Sequence, residues 1–139
     1  MPSPNSQSDE PEWLTLPIVV AFHDEQLAIH GGAGGIRDMA MLESALDRPR
    51  NKWAYENAEL PELAAAYGFG LAKNHPFIDG NKRASLLSIY TFLGINGVEF
   101  LVPEPEAAAM ILSLAAGEVS EESLARWIRD NWPKPVAAR

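Results

Sequence analysis

Cysteine is absent from this sequence of 139 residues. Its absence excludes disulfide bonds, thiolate nucleophiles and zinc sites built on cysteine. Long apolar runs are missing too, since no stretch approaches the ~20 consecutive apolar residues of a membrane-spanning helix. The segment Met1–Glu10 is polar and acidic, unlike a signal peptide. We therefore expect a protein that has no membrane partner and is located in the cytoplasm.

Positive charge is also scarce, since 11 lysines and arginines face 19 aspartates and glutamates and leave a formal net charge of -8. Proteins that bind nucleic acids usually present a surplus of basic side chains on one face. The acidic balance argues against direct nucleic-acid binding and makes RNA cleavage the least favoured function. It does not exclude a protein partner or a phosphate pocket, because a few cations can dominate one cleft.

The length and the 47% hydrophobic fraction are those of one globular domain. We interpret residues 1–12, rich in proline, serine and acids, as a disordered leader, and residues 133–139 as a fraying tail. Residues 13–132 form the predicted domain. Its apolar spacing indicates about six helices and no sheet, so the predicted fold is an all-α, compact single-domain helical bundle.

Capping and helix-breaking residues set the predicted boundaries. The helices are expected to begin near Thr15, Asp38, Pro61, Asn81, Pro103 and Ser120. Pro49 is expected to end the second helix. The apolar face of the first helix is predicted to carry Ile18, Phe22 and Ile29. Val98–Val102 is a short β-like run, too isolated to form a sheet by itself.

The most informative segment is the loop that leads into the fourth helix, with the sequence His-Pro-Phe-Ile-Asp-Gly-Asn-Lys-Arg over residues 75–83. Asn81, Lys82 and Arg83 occupy the first helical turn, where free backbone N–H groups and the helix dipole favour an anion. Two cations are unfavourable at that end of a helix. Their presence predicts a strongly negative ligand such as a polyphosphate.

Two further side chains of this loop fit phosphate chemistry. Asp79 offers a carboxylate oxygen for the Mg²⁺ that accompanies nucleotide phosphates. His75 offers an imidazole that can accept a proton from an attacking hydroxyl group. The alternative is an ordinary solvated loop and helix start, but such a loop has no need of all these groups in this order. We therefore predict a phosphate-transfer site with a histidine base.

The order of residues in His75–Arg83 resembles the signature of the Fic/Doc superfamily, which reads His-x-Phe-x-acid-small-Asn-x-Arg. Most Fic enzymes of that superfamily carry glycine at the position of Lys82, whereas the Doc-type toxins of toxin–antitoxin pairs carry lysine. Residues 30–49 are similar to the family's flap region, and residues 117–120 are similar to the entry to its last helix. The resemblance covers residues 13–132 and favours the Doc type.

The resemblance implies transfer of the γ-phosphate of ATP to a serine or threonine hydroxyl of a protein, with elongation factor Tu as the expected target. His75 would be the general base, and Asp79 would be the catalytic carboxylate on the Mg²⁺ side. The nucleotide phosphates would be bound by Gly80, Asn81, Lys82 and Arg83. The alternatives are AMP transfer, which Lys82 disfavours, and a catalytically silent module that binds an antitoxin, which the intact motif disfavours.

The family's inhibitory helix, Ser/Thr-x-x-x-Glu-Gly/Asn, has no match here, because Lys52 stands where Glu56-Asn57 would require a serine or threonine. The resemblance therefore implies restraint by a separate antitoxin, expected to offer an amphipathic helix to an apolar groove.

Several residues around the loop have open or minor roles in this interpretation. The glycine-rich run of residues 31–35 is either a flexible connector or a flap that docks the substrate. Arg37 either pairs with Asp38 or reaches a phosphate. His23 is interpreted as a surface residue, His30 as a structural or surface residue, and Lys73 as a possible contact of the ligand.

Overall fold

The structure is a computed structural model that describes residues 10–134. It contains six α-helices in chain order: α1 (Leu16–His30), α2 (Met39–Glu56), α3 (Leu60–Asn74), α4 (Asn81–Ile95), α5 (Glu104–Ala115) and α6 (Glu121–Asp130). No strand occurs within residues 10–134, where one isolated antiparallel bridge joins Ile36 to Phe77. The predicted all-α fold is confirmed. None of the described helices has the length and apolar character to cross a membrane.

Local signals place most of the helix starts as predicted. Pro17 lies in the first turn of α1. Asp38 caps α2 by accepting a hydrogen bond from the N–H of Met41, and the Ser120 side chain caps α6 by accepting one from the N–H of Ser123. Each cap satisfies a backbone donor that the helix itself leaves free.

One prediction about a chain break is wrong. Pro49 does not end α2 but lies buried inside it. A proline within a helix costs about 3 kcal/mol, and here the packing of α2 against α3 outweighs that cost. As expected, the segment Val98–Val102 forms no sheet; the N–H of Val98 donates a hydrogen bond to the carbonyl of Leu93, and Phe100 is buried in the core.

Helix α3 is the central element and packs against α2, α4, α5 and α6. Small residues permit this close packing. A Cβ atom at Gly68 would lie 2.8 Å from the side chain of Ile89 on α4, and one at Gly70 would lie 3.2 Å from the Cα of Ala45 on α2. The consequence for function is that the end of α3 and the start of α4 are held side by side, with the loop of residues 75–80 between them.

The predicted apolar face of α1 is wrong for two of its three residues, whereas the third, Phe22, packs against the core. Ile18 and Ile29 are 38% and 63% exposed, whereas Val19 and His23 are the buried residues of this helix. The buried stripe thus includes a histidine, which a search for apolar spacing does not count.

The beginning of the described chain is tied to the bundle. The main chain of Glu12, which the sequence analysis assigned to the leader, exchanges two hydrogen bonds with the side chain of Asn96. Trp13 stacks on Phe92 with ring centroids 6.1 Å apart. Residues 1–9 of the predicted leader and residues 135–139 of the predicted tail lie outside the described residues.

Alkaline pH is expected to destabilise the core at Tyr67. Its ring is fully buried, its hydroxyl accepts a hydrogen bond from the N–H of Leu14, and burial raises its pKa to about 12. Because the folded state favours the neutral phenol, this contribution to stability is present below pH ~10 and is lost as the pH rises towards ~12. The loss amounts to roughly 2–3 kcal/mol of unfolding free energy.

Urea unfolding of the wild type and of Tyr67→Phe between pH 9 and 12 measures this effect. Other groups titrate in both proteins, so the difference between the two pH profiles isolates Tyr67. Parallel profiles over the whole range would contradict the expectation.

Candidate active site

Two residues in the left-handed backbone region bracket the loop between α3 and α4. His75 has φ 53° and ψ 52° at the end of α3, and Gly80 has φ 79° and ψ 18° at the start of α4. For glycine this conformation is free of strain, but for histidine it costs about 1–2 kcal/mol. Contacts from the rest of the fold must therefore hold His75 in place.

Arg37 provides the first of these contacts. Its Nε donates to the carbonyl of His75 at 2.8 Å, and its Nη2 donates to the carbonyl of Asn74 at 3.0 Å. Both are carbonyls at the end of α3 that have no helical partner. The side chain of Asp38 is used instead to cap α2, so the predicted pairing of Arg37 with Asp38 is wrong. The guanidinium of Arg37 fixes the backbone that carries His75.

The main chain of residues 35–38 supplies the second contact. The N–H groups of Arg37 and Asp38 donate to the carbonyl of Pro76 at 2.7 and 3.0 Å, and the N–H of Ile78 donates to the carbonyl of Gly35 at 3.1 Å. Residues 35–38 and 76–78 thus lie side by side. Any movement of residues 35–38 is therefore coupled to the loop that holds the candidate catalytic groups.

Asn81 organises the loop from inside. This residue is 4% exposed. Its Oδ1 accepts from the N–H of Phe77 at 2.9 Å, and its Nδ2 donates to the carbonyl of Phe77 at 2.9 Å and lies 3.2 Å from Nδ1 of His75. The side-chain amide of Asn81 therefore forms hydrogen bonds within the loop. The group of Asn81 that can bind an anion at the start of α4 is its backbone N–H.

These contacts assign the tautomer of His75. The N–H of Phe77 requires the amide oxygen of Asn81 as its acceptor, which turns the amide nitrogen towards the ring. Since an amide nitrogen only donates, Nδ1 of His75 accepts and the neutral ring carries its proton on Nε2.

Long-range ¹H–¹⁵N NMR spectra, recorded where the rings are neutral, should show Nε2–H for His75. The change Asn81→Asp replaces the donor by an acceptor and should shift the ring towards Nδ1–H. Exposed His30 provides the internal reference. An Nδ1–H tautomer at His75 in the wild type would contradict the assignment.

Asp79 carries the carboxylate of the loop. Its Oδ1 accepts a hydrogen bond from the N–H of Gly80 at 2.8 Å, and a Cβ atom placed on Gly32 would lie 2.8 Å from its Oδ2. Among residues 10–134, no three histidine, aspartate or glutamate side chains are grouped so as to hold a metal ion. A single carboxylate fits Mg²⁺ that arrives with a nucleotide, because this ion usually binds one or two carboxylates together with phosphates and water.

The start of α4 supplies the positive side of the site. The first helical bond runs from the N–H of Ala84 to the carbonyl of Gly80, so the three preceding N–H groups have no helical partner. Lys82 and Arg83 are exposed there, and no acidic residue lies in the first turn. A pocket of about 330 Å³ is lined by all the predicted site residues: His75, Asp79, Gly80, Asn81, Lys82 and Arg83. In a protein of net charge -8, this is a locally cationic cleft.

Other residues considered from the sequence lie elsewhere. His30 is exposed at the end of α1, and Lys73 has its Nζ 3.6 Å from the Cβ position of Gly117, in the connection between α5 and α6. Neither lines the pocket of residues 75–83.

His23 is the residue that the sequence analysis missed. The prediction of a surface position is wrong, because His23 is 2% exposed. Its ring stacks on Phe77 at 3.7 Å and 11°, and its Nε2 lies 2.7 Å from the carbonyl oxygen of Asp79. The neighbouring Asp24 and Glu25 favoured a surface position. The only available signal was the i,i+4 spacing from Val19, which puts both residues on one face.

The fold and the pocket define a small helical protein with a cationic, anion-binding loop in which an imidazole and a carboxylate line the same cleft. The chain belongs to the Fic/DOC family, whose family model matches residues 13–93. It is 36% identical over 112 residues to a protein of Escherichia phage P1 named "Protein kinase doc", covering 80% of this chain and 88% of the relative. It is also 42% identical over 72 residues to "Toxin Doc" of Mycolicibacterium smegmatis, covering 50% of this chain and 55% of the relative.

Proposed function

We propose that this protein is a Doc-type toxin that transfers the γ-phosphate of ATP to a serine or threonine hydroxyl of a protein target. The observation that carries the proposal is the pocket at the start of α4, where His75 and Asp79 share one cleft with Lys82 and Arg83. The names of the two relatives, a protein kinase and a toxin, support the same reading.

The positive side of the pocket binds the nucleotide. Phosphoryl transfer depends mainly on positioning and on neutralising charge, with little covalent chemistry left for the protein. The free N–H groups of α4 and the side chains of Lys82 and Arg83 supply that neutralisation. Gly80, with φ 79°, lets the backbone turn into the helix at a point where a Cβ atom would lie 3.3 Å from Nε2 of His23.

Asp79 would hold the Mg²⁺ that accompanies the nucleotide, and the ion when bound supplies further neutralisation of phosphate charge. The target hydroxyl oxygen forms a bond to the γ-phosphorus while the bond from that phosphorus to the β–γ bridging oxygen breaks and ADP leaves. The hydroxyl proton passes to His75, which acts as the general base.

The resting structure adds one condition to this step. The lone pair of the neutral His75 ring is on Nδ1, which accepts from Asn81. Proton acceptance therefore requires the contact between His75 and Asn81 to be released when the substrates bind. Catalytic hydrogen bonds commonly reach their working geometry only in the substrate complex.

Lys82 is the residue that favours the γ-phosphate. It occupies the position where Fic enzymes that transfer AMP have glycine, and a lysine side chain there fills space and adds a charge beside the phosphates. Exposed on the first turn of α4 and lining the pocket, it can reach a bound polyphosphate and change which phosphorus faces the target hydroxyl.

The test is a transfer assay with purified protein, bacterial lysate and ATP labelled in parallel at the γ- and α-phosphates. Label from the γ-phosphate alone, on one protein band, is the expected result. Label from the α-phosphate would show that the protein transfers AMP and is not a kinase, and it would refute the argument from Lys82. Absence of both labels, with folded protein, would leave the antitoxin-binding module as the function.

The target and the partners belong to the same proposal. Elongation factor Tu is the proposed target, which places the activity in the cytoplasm and makes it an inhibitor of translation. A separate antitoxin would restrain it. Beside Arg83, a groove of about 440 Å³ with apolar side chains can take an amphipathic helix; these side chains are Leu86, Leu87, Tyr90 and Val102.

A further inference from the structure

We infer that His23 is a positioning residue of the active site, which holds the main chain of Asp79 so that its carboxylate faces the pocket. The inference rests on the proposed function for its catalytic consequence, and on geometry for the placement of the loop. His23 lies in the middle of α1, and Asp79 follows 56 residues later in the chain.

The hydrogen bond is the first support. Nε2 of His23 lies 2.7 Å from the carbonyl oxygen of Asp79. A carbonyl oxygen only accepts, so Nε2 carries a proton and donates. The other ring nitrogen lies 3.9 Å from Oδ1 of Asp24, beyond hydrogen-bond distance. The Nε2 side of the His23 ring is thus hydrogen-bonded to the loop of residues 75–80.

Ring packing is the second support. The imidazole lies almost parallel to the ring of Phe77, which is 1% exposed, with centroids 3.7 Å apart. A Cβ atom on Gly80 would lie 3.3 Å from Nε2 of His23. His23 therefore contacts Phe77 and the Asp79 carbonyl, and it leaves little room for a side chain at residue 80.

These contacts restrict the orientation of the carboxylate. With the carbonyl of Asp79 held by His23, Oδ1 is held by the N–H of Gly80 and Oδ2 rests against Gly32. The carboxylate has no hydrogen bond from another side chain in the described structure. Its direction thus depends on how firmly the main chain is fixed.

Two variants separate the contributions of the ring. His23→Phe keeps a planar ring against Phe77 but removes the donor, leaving the Asp79 carbonyl without its partner. His23→Gln removes the ring, but its amide nitrogen reaches about as far as Nε2 and can donate to the same carbonyl. Glu25→Gln, an exposed position on the same helix, is the control.

The experiment measures γ-phosphate transfer at varied Mg²⁺, together with hydrogen–deuterium exchange in peptides that cover residues 75–83. For His23→Phe we expect kcat to fall by about ten-fold or more and the half-activating Mg²⁺ concentration to rise. The KM for the protein target should be unchanged, and hydrogen exchange in the loop should be faster. His23→Gln should recover transfer to within about three-fold of the wild type because it restores the donor. Glu25→Gln should match the wild type in all measurements.

Three results would overturn the inference. Loop exchange in His23→Phe equal to that of the wild type would do so whether or not the protein transfers phosphate. Equal loss of transfer in both variants, in proportion to lowered Tm, would indicate a purely structural role. A reduced kcat with unchanged Mg²⁺ dependence would show that Asp79 is not what His23 positions. If the wild-type protein transfers no γ-phosphate, the proposed function is contradicted instead. The hydrogen–deuterium exchange of the loop then decides whether His23 positions Asp79.

Discussion

Replacing His75 by asparagine is expected to lower γ-phosphate transfer by about 10²–10⁴-fold, because the variant retains the pocket but lacks a group that can take the hydroxyl proton. Asparagine is a better choice than alanine at this position. His75 has φ 53° at the end of α3, a conformation that asparagine adopts more readily than other residues with a side chain. The loss can then be attributed to the missing imidazole.

The measurement is transfer of label from γ-labelled ATP, with thermal unfolding and loop hydrogen exchange as controls for folding. The same variant should also relieve the growth arrest expected when the chain is expressed without an antitoxin. Transfer within a few-fold of the wild type, or growth arrest that survives the change, would exclude His75 as the general base.

The change Gly32→Ala, in the glycine-rich segment of residues 31–35, is expected to damage the same site. A Cβ atom at residue 32 would lie 2.8 Å from Oδ2 of Asp79 and 3.0 Å from Leu27, and the backbone there has φ +123°, which side chains rarely adopt. Either the Asp79 carboxylate must turn away or the glycine-rich segment must shift. We expect transfer to fall by about ten- to a hundred-fold, since displacement of a catalytic group by about 1 Å can cost 10²-fold.

The same glycine-rich segment supplies matched controls. An alanine at Gly34 would meet only Leu27, at an ordinary 3.7 Å, so Gly34→Ala should be close to the wild type. An alanine at Gly31 would meet nothing within 4 Å but would sit at φ +79°, so Gly31→Ala reports backbone strain alone. Equal activity of the Gly31 and Gly32 variants would show that the carboxylate of Asp79 does not need the space beside Gly32.

Elements whose signals lie close together in the chain were predictable. The caps at Asp38 and Ser120 act on backbone groups three residues away, so the sequence indicates them directly. Pro49 was misread for the opposite reason, because the packing against α3 that keeps α2 helical involves residues distant in sequence. The absence of a sheet at Val98–Val102 was predictable, since a strand needs a partner and the local pattern does not provide one.

The same distinction between local signals and long-range packing applies to the candidate site. By itself, the sequence determined the all-helical class and the set of pocket residues, because the imidazole, the carboxylate and the cations fall within His75–Arg83 and one short loop necessarily brings them together. Only the tertiary structure decided how that loop is held. Arg37 reaches the carbonyl of His75 across 38 positions, and His23 reaches that of Asp79 across 56. Their partners are backbone carbonyls, which every residue possesses, so side-chain identity gives no sign of these contacts until the helices are packed.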